Sequence, residues 1–185
     1  MRKFYFLIPC VFLAITLNAQ EQEDKTNLLA NDPLDLSVEL KKIEELGVPT
    51  ISLVDDMKVK ADNLFENQQW EEAAAAYEEY AKKANWLANI LSTCLEPYYS
   101  ATYKKREALS LKRLNQISPF EKKANQYKEE RNIAYVKMGI CKKNLGDTKT
   151  AAALLLRALD ILDISQVEYW DMATDALSEI IGYTK

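Results

Sequence analysis

Histidine is absent from all 185 residues. That removes the commonest general base, and with it the usual triads and the zinc arrangements built on imidazole. Glycine (4) and proline (5) are scarce while Ala, Leu, Glu and Lys are abundant, which leaves little turn chemistry for a sheet and favours helix throughout. No window alternates apolar and polar residues between hairpin dipeptides, so strands have no obvious place. Cysteine is rare as well. Beyond the first nineteen residues only Cys94 and Cys141 remain, too few for a structural metal site. Both lie in apolar helical runs and read as small buried hydrophobes, although an oxidising compartment would allow them to pair. A Gly-rich phosphate loop is missing too: Gly139 to Gly146 contains no Gly-Lys-Ser/Thr and follows no strand. The chain is expected to be no enzyme, with no cofactor and no metal.

What is present begins with a pattern of export. Met1-Arg2-Lys3 is a basic start, Phe4 to Leu17 is apolar, and Ala19 offers a small residue for cleavage before Gln20. The apolar run is about 14 residues, short of the roughly 20 that span a bilayer. Residues 1–19 therefore read as a signal peptide, and the mature protein as periplasmic or secreted, with no membrane span after cleavage. Cleavage removes two of the 24 bases and none of the 28 acids, taking the formal charge from −4 to −6. An acidic chain is a poor ligand for nucleic acid. Residues 20–50 read as a flexible tether carrying a short amphipathic helix, Leu36 to Leu46, stopped by Gly47 and Pro49.

From residue 51 to 185 the chain reads as a helical domain. Ser52 with Asp55 resembles a capping box for a helix to Glu66. Trp70 opens the next, to about Ala84, with Asn85 as an end or restart before the apolar Trp86 to Leu95. Glu96-Pro97 breaks that run, and Tyr98 to Gln116 follows. Ser118-Pro119-Phe120-Glu121 has every mark of a helix start, with a cap, a first-turn proline and a returning glutamate. That helix should reach Leu145, Gly146-Asp147 should turn it, and Thr148 to Leu162 should return. Ser165 with Glu168 suggests a cap for the last helix, which Gly182 ends.

Gly139 and Gly146 are seven apart on the first arm of this hairpin, and Ala151 and Ala158 are seven apart on the second. Small side chains there would let two antiparallel helices approach closely, with Leu154, Leu155, Leu159 and Leu162 around them. These residues, with Tyr135 and Asp147, resemble the tetratricopeptide repeat, a 34-residue helical hairpin. A second copy resembles it at Ala61, Trp70-Glu71-Glu72-Ala73 and Tyr77. There Gln68 replaces the turn glycine and Tyr80 the closing alanine. An alignment shifted by one would use Ala74 and Ala81 instead. Ala73 and Ala151 are 78 residues apart, two periods plus ten, room for a divergent helix pair. If Trp86–Leu95 and Tyr98–Gln116 are separate helices, the two copies point the same way. If Trp70 to Leu95 is one helix, they point oppositely and form a compact bundle. The separate helices are favoured, giving an all-α fold of antiparallel hairpins stacked as a short right-handed solenoid.

The resemblance implies an interaction module, since the inner surface of the family's stacked first helices binds segments of other proteins. By it the partner-binding positions would be Lys58, Asp62, Phe65 and Glu66 from the first copy, and Val136, Ile140, Lys143 and Asn144 from the later one. The family's two-carboxylate clamp needs lysine and asparagine at fixed inner positions. Lys58 matches, whereas Asp62 stands in the place of the asparagine. The acids Asp55-Asp56 and Asp160 to Asp175, and the bases Lys104 to Arg106 with Lys112 and Arg113, read as caps and solvated faces. Tyr98, Tyr99 and Tyr103 read as core of the divergent pair, or as partner contacts. An adaptor of the cell envelope is the leading expectation. A structural subunit of a homo-oligomer and a small-molecule-binding accessory protein are the alternatives.

Overall fold

The structure is a computed structural model that describes residues 35–183. The expected signal peptide at 1–19 and residues 20–34 of the expected tether lie outside the described residues. The chain divides into two compact units at Gly47–Val48. In the first, α1 (Ser37–Leu46) buries none of its residues and stops at Gly47, whose φ of 65° suits glycine.

The second unit is all-α. Its helices are α2 (Ile51–Glu66), α3 (Trp70–Thr93), the short α4 (Glu96–Tyr99) and α5 (Tyr103–Glu107), then α6 (Leu111–Asn144), α7 (Thr148–Ile161) and α8 (Val167–Ile181). Two tight hairpins, α2–α3 and α6–α7, are joined by the same turn 78 residues apart. In each, the residue after the helix cap has positive φ, 58° at Gln68 and 80° at Gly146. Each turn closes with two backbone bonds, Gln68 N–H to Phe65 and Gln69 N–H to Leu64 in one, Gly146 N–H to Lys143 and Asp147 N–H to Lys142 in the other. This pairing satisfies carbonyls that a helix end would leave open. The next residue matches as well, with φ −81° and ψ 70° at Gln69 and φ −80° and ψ 69° at Asp147. The turn fixes the register between the two copies, so Ala73 and Ala151 correspond and the alignment shifted by one does not hold.

Matched positions also pack alike. Ala61, Ala73, Ala151 and Ala158 have no exposed surface, and Tyr77 and Leu155 occupy the same buried place in their hairpins. At Gly139 a methyl group would stand 2.7 Å from Leu155 Cγ and 3.4 Å from the Ala151 carbonyl oxygen. The leucine is fully enclosed and has nowhere to move. The sequence reading of a close α6–α7 approach holds here.

Four expected helix limits do not. α3 runs unbroken through Asn85, whose side chain accepts a hydrogen bond from Arg131 of α6 instead of capping. α6 is one helix of 34 residues that passes straight through Ser118-Pro119. Its cap is Ser110, whose hydroxyl accepts from the Arg113 N–H at 3.3 Å. An interior proline removes one backbone bond and crowds the carbonyl four residues back. Asn115 and Pro119 are both exposed, so water can take that carbonyl. α2 begins two residues early, capped by Thr50 rather than Ser52. At α8, Ser165 bonds Asp163 and provides no cap.

The two fusions cancel topologically. No divergent helix pair separates the hairpins, and α3 packs directly and antiparallel on α6. Tyr127 of α6 meets Asp55 of α2 and Lys137 meets Asp62, so α2 and α6 run the same way. A continuous α3 therefore does not reverse the second hairpin, because α6 is continuous too. Of the residues expected to form the extra pair, Trp86–Thr93 extend α3 and Leu111–Gln116 open α6, and only residues 94–110 become a linker. Tyr99 and Tyr103 are 44% and 71% exposed and have no core role, and Cys94 is exposed while only Cys141 is buried. Burial pushes the Cys141 thiol up to about 11.

Gly139→Ala tests the close approach. In an exposed helix the change would stabilise by about 1 kcal/mol, whereas here overpacking against Leu155 should cost about 1–3 kcal/mol in denaturant unfolding. Gln68→Gly tests the turn, and should raise stability by about 1 kcal/mol through relief of the left-handed backbone.

Candidate functional site

α6 carries three working stripes, because residues three, four and seven apart share a face. Ala134, Met138 and Cys141 pack towards α3. Val136 and Ile140 pack with α7 and α8. Glu130, Ile133 and Lys137 face a polar cleft of about 210 Å³ shared with α2 and α8. Tyr77 and Tyr80 of α3 form the floor, Lys58 and Asp62 one wall, and Tyr169 of α8 the other.

Asp62 is the hub. Its carboxylate takes Lys137 Nζ at 2.6 Å, the Tyr77 hydroxyl at 2.6 Å and Lys58 Nζ at 3.0 Å. Burial pushes this carboxyl up, but the hydrogen bonds from Lys137, Tyr77 and Lys58 outweigh it and hold the group below its ordinary value of 3.8. Lys137 also lies 5.5 Å from the ring centres of both Phe65 and Tyr77, so its charge is steadied by a carboxylate and two π faces. Beside this hub, Tyr80 donates to Glu130 at 2.8 Å. Glu130 also accepts from Gln126 at 2.9 Å. Burial, and then the facing carboxylates, push the Tyr77 and Tyr80 phenols well above the usual range.

Of the residues expected to meet a partner, Lys58 and Asp62 come together in this cleft. Phe65 lies behind them, edge-on to Trp70 and Tyr77. Glu66 is exposed at the end of α2, and Asn144 at the end of α6. The later set is largely covered. Val136 has no exposed surface and Ile140 packs in the same cluster, because α8 folds along α6. Lys143 bonds Glu179 of α8. Val136 therefore has no surface to offer a partner. Val136 lies 78 residues after Lys58 and Ile140 78 after Asp62, so α8 covers α6 much as α6 covers α2.

Sequence reasoning missed Lys137, Glu130 and Tyr169. Glu130 and Lys137 are seven apart on one face, and Tyr77 and Tyr80 in an alanine-rich run each demand an acceptor when buried. Those were the available signals, but they do not say which helix answers them.

Among the described residues no three Cys, Asp or Glu side chains converge as a metal site needs, and no helix is long and apolar enough to cross a membrane. No protein-family model, curated protein or solved structure matches the chain.

Folding lowers the Asp62 pKa, so its contribution to stability is complete well above the ordinary value and disappears as pH falls through the lowered one. Asp62→Asn should cost about 1–3 kcal/mol at pH 7 by leaving Lys137 without its acid. It should also make the loss of stability between about pH 5 and pH 2 shallower than in the parent. Thermal melts across that range read both effects.

Proposed function

We propose that residues 51–185 are a short stack of tetratricopeptide-like hairpins serving as a non-catalytic interaction module. On this reading α2–α3 and α6–α7 are two repeats, and α8 occupies the place of a following first helix. The 78-residue correspondence of turns, small residues and covered faces supports it. With the export signal expected at 1–19, the module belongs to the cell envelope, as an adaptor that holds a segment of another protein.

The observation that carries the function is the Lys58–Asp62–Lys137 cluster in an open cleft on the first helices. Each ammonium has three donors and the carboxylate about four acceptor sites, so the cluster has capacity beyond its internal bonds. A polar peptide backbone can use it without the protein rearranging. The protonation states support binding over chemistry. Asp62 is held ionised and both tyrosines are held neutral, so none is poised to exchange protons near neutral pH. Asp62 in the place of the family's asparagine adds a negative charge beside Lys58. That disfavours a C-terminal carboxylate and favours an internal segment.

The test is a photo-cross-linking amino acid placed at Tyr169, on the wall of the cleft, and at Glu71, an exposed site on α3, in the full chain within its native envelope. A dominant adduct to one protein from position 169, absent from position 71 and lost on Lys58→Glu, is expected. The same adducts from both positions would sink the reading. Adducts only to a second copy of the chain would shift support to a homo-oligomeric subunit.

A further inference from the structure

A second groove runs between α3, α6 and α7, on a different stripe of α6 from the cleft. Its volume is about 730 Å³. The floor is apolar, with Met138 7% exposed and Leu154 half-buried beside it. The rim carries four cations, Lys82, Arg131, Lys142 and Arg157, against one acid, Glu78. Glu78 is already paired with Lys82 at 2.6 Å. Among the described residues, Arg131, Lys142 and Arg157 make no ion pair, in a chain where 28 acids outnumber 24 bases.

Arg131 is the informative member. It is half-buried and its guanidinium is held by amide oxygens alone, those of Asn85 and of Asn132, the latter at 2.8 Å and 3.1 Å. Neutral acceptors fix its orientation without neutralising it, and part of its five-donor fork is left over. Lys142 lies eleven residues further along the same face, about 16 Å away at 1.5 Å per residue. An extended segment of about five residues covers that distance. Arg157 stands on the facing helix.

We propose that this groove binds an acidic segment of a partner protein in which apolar side chains alternate with carboxylates. The carboxylates meet Arg131, Lys142 and Arg157, and the apolar side chains settle on Met138 and Leu154. A local positive surface on an acidic protein concentrates such a segment by long-range attraction, and the apolar floor then slows its release. Nucleic acid would meet the chain's net negative charge and gain nothing from the floor. The groove is independent of the cleft, so either can fail without the other.

The test uses the full chain and a fluorescent hexapeptide alternating glutamate with leucine, read by anisotropy. A lysine–leucine and a glutamate–glycine peptide are the comparisons. The glutamate–leucine peptide should bind best, and raised salt should weaken it. The Lys142→Glu/Arg157→Glu double variant leaves the core untouched and should lower its affinity at least about tenfold. Equal binding to the double variant, or of the lysine–leucine peptide, would overturn the proposal. So would no binding up to about 1 mM peptide, loss of binding on Lys58→Glu instead, or binding only to phosphatidylglycerol vesicles.

Discussion

Three buried tyrosines set the terms for the rest of this protein. Among the described residues, Tyr77, Tyr80 and Tyr127 are the largest fully enclosed side chains. A ring contributes apolar burial only if its hydroxyl finds a partner in the same place. Each does so on a neighbouring helix, Tyr77 with Asp62, Tyr80 with Glu130 and Tyr127 with Asp55. Those acids fix where α2, α3 and α6 stand relative to one another, since shifting any helix by a turn would strand a phenol and a carboxylate together. Asp62 then needs cations of its own, and Lys58 and Lys137 supply them. The charged cleft is thus the outer edge of the network that satisfies the core.

A second constraint operates at the hairpin turns. Alanine and glycine let helix axes approach closely, but only if both arms leave the turn at the right angle. Gln68 and Gly146 adopt the same left-handed backbone although only one is glycine. A glutamine in that place accepts strain, which indicates that the geometry of the turn matters more than the residue that makes it. The first hairpin tolerates Tyr77 and Tyr80 where the second has Leu155 and Ala158. Tyr77 bonds Asp62 within its own hairpin, whereas Tyr80 reaches past it to Glu130 on α6, and that bond helps couple the first hairpin to the second.

The errors in reading the sequence share one cause. Ser118-Pro119-Phe120-Glu121 has the composition of a helix start, but a start also requires the preceding chain to be non-helical. Ser110 had already capped the helix, and the exposed Asn115 carbonyl made the proline tolerable. Asn85 has the composition of a stop, yet its amide oxygen is engaged by Arg131, 46 residues away. Val136 and Ile140 could meet a partner only if α6 had no later neighbour. α8 covers them, and Lys137, one position along, turns to the cleft in their place.

By itself, the sequence determined the helical class, the turn at Gly146-Asp147 and the close contact of Gly139 with Ala151, because these depend on backbone preference and side-chain size within a few residues. It also determined that no imidazole chemistry is available. Only the tertiary structure decided that α3 and α6 are unbroken, that both hairpins point the same way, and which cations stand beside Asp62. Those outcomes rest on pairings between groups fifteen to seventy-five residues apart. A charge or a buried hydroxyl states that a partner is needed, and only the packed helices supply its address.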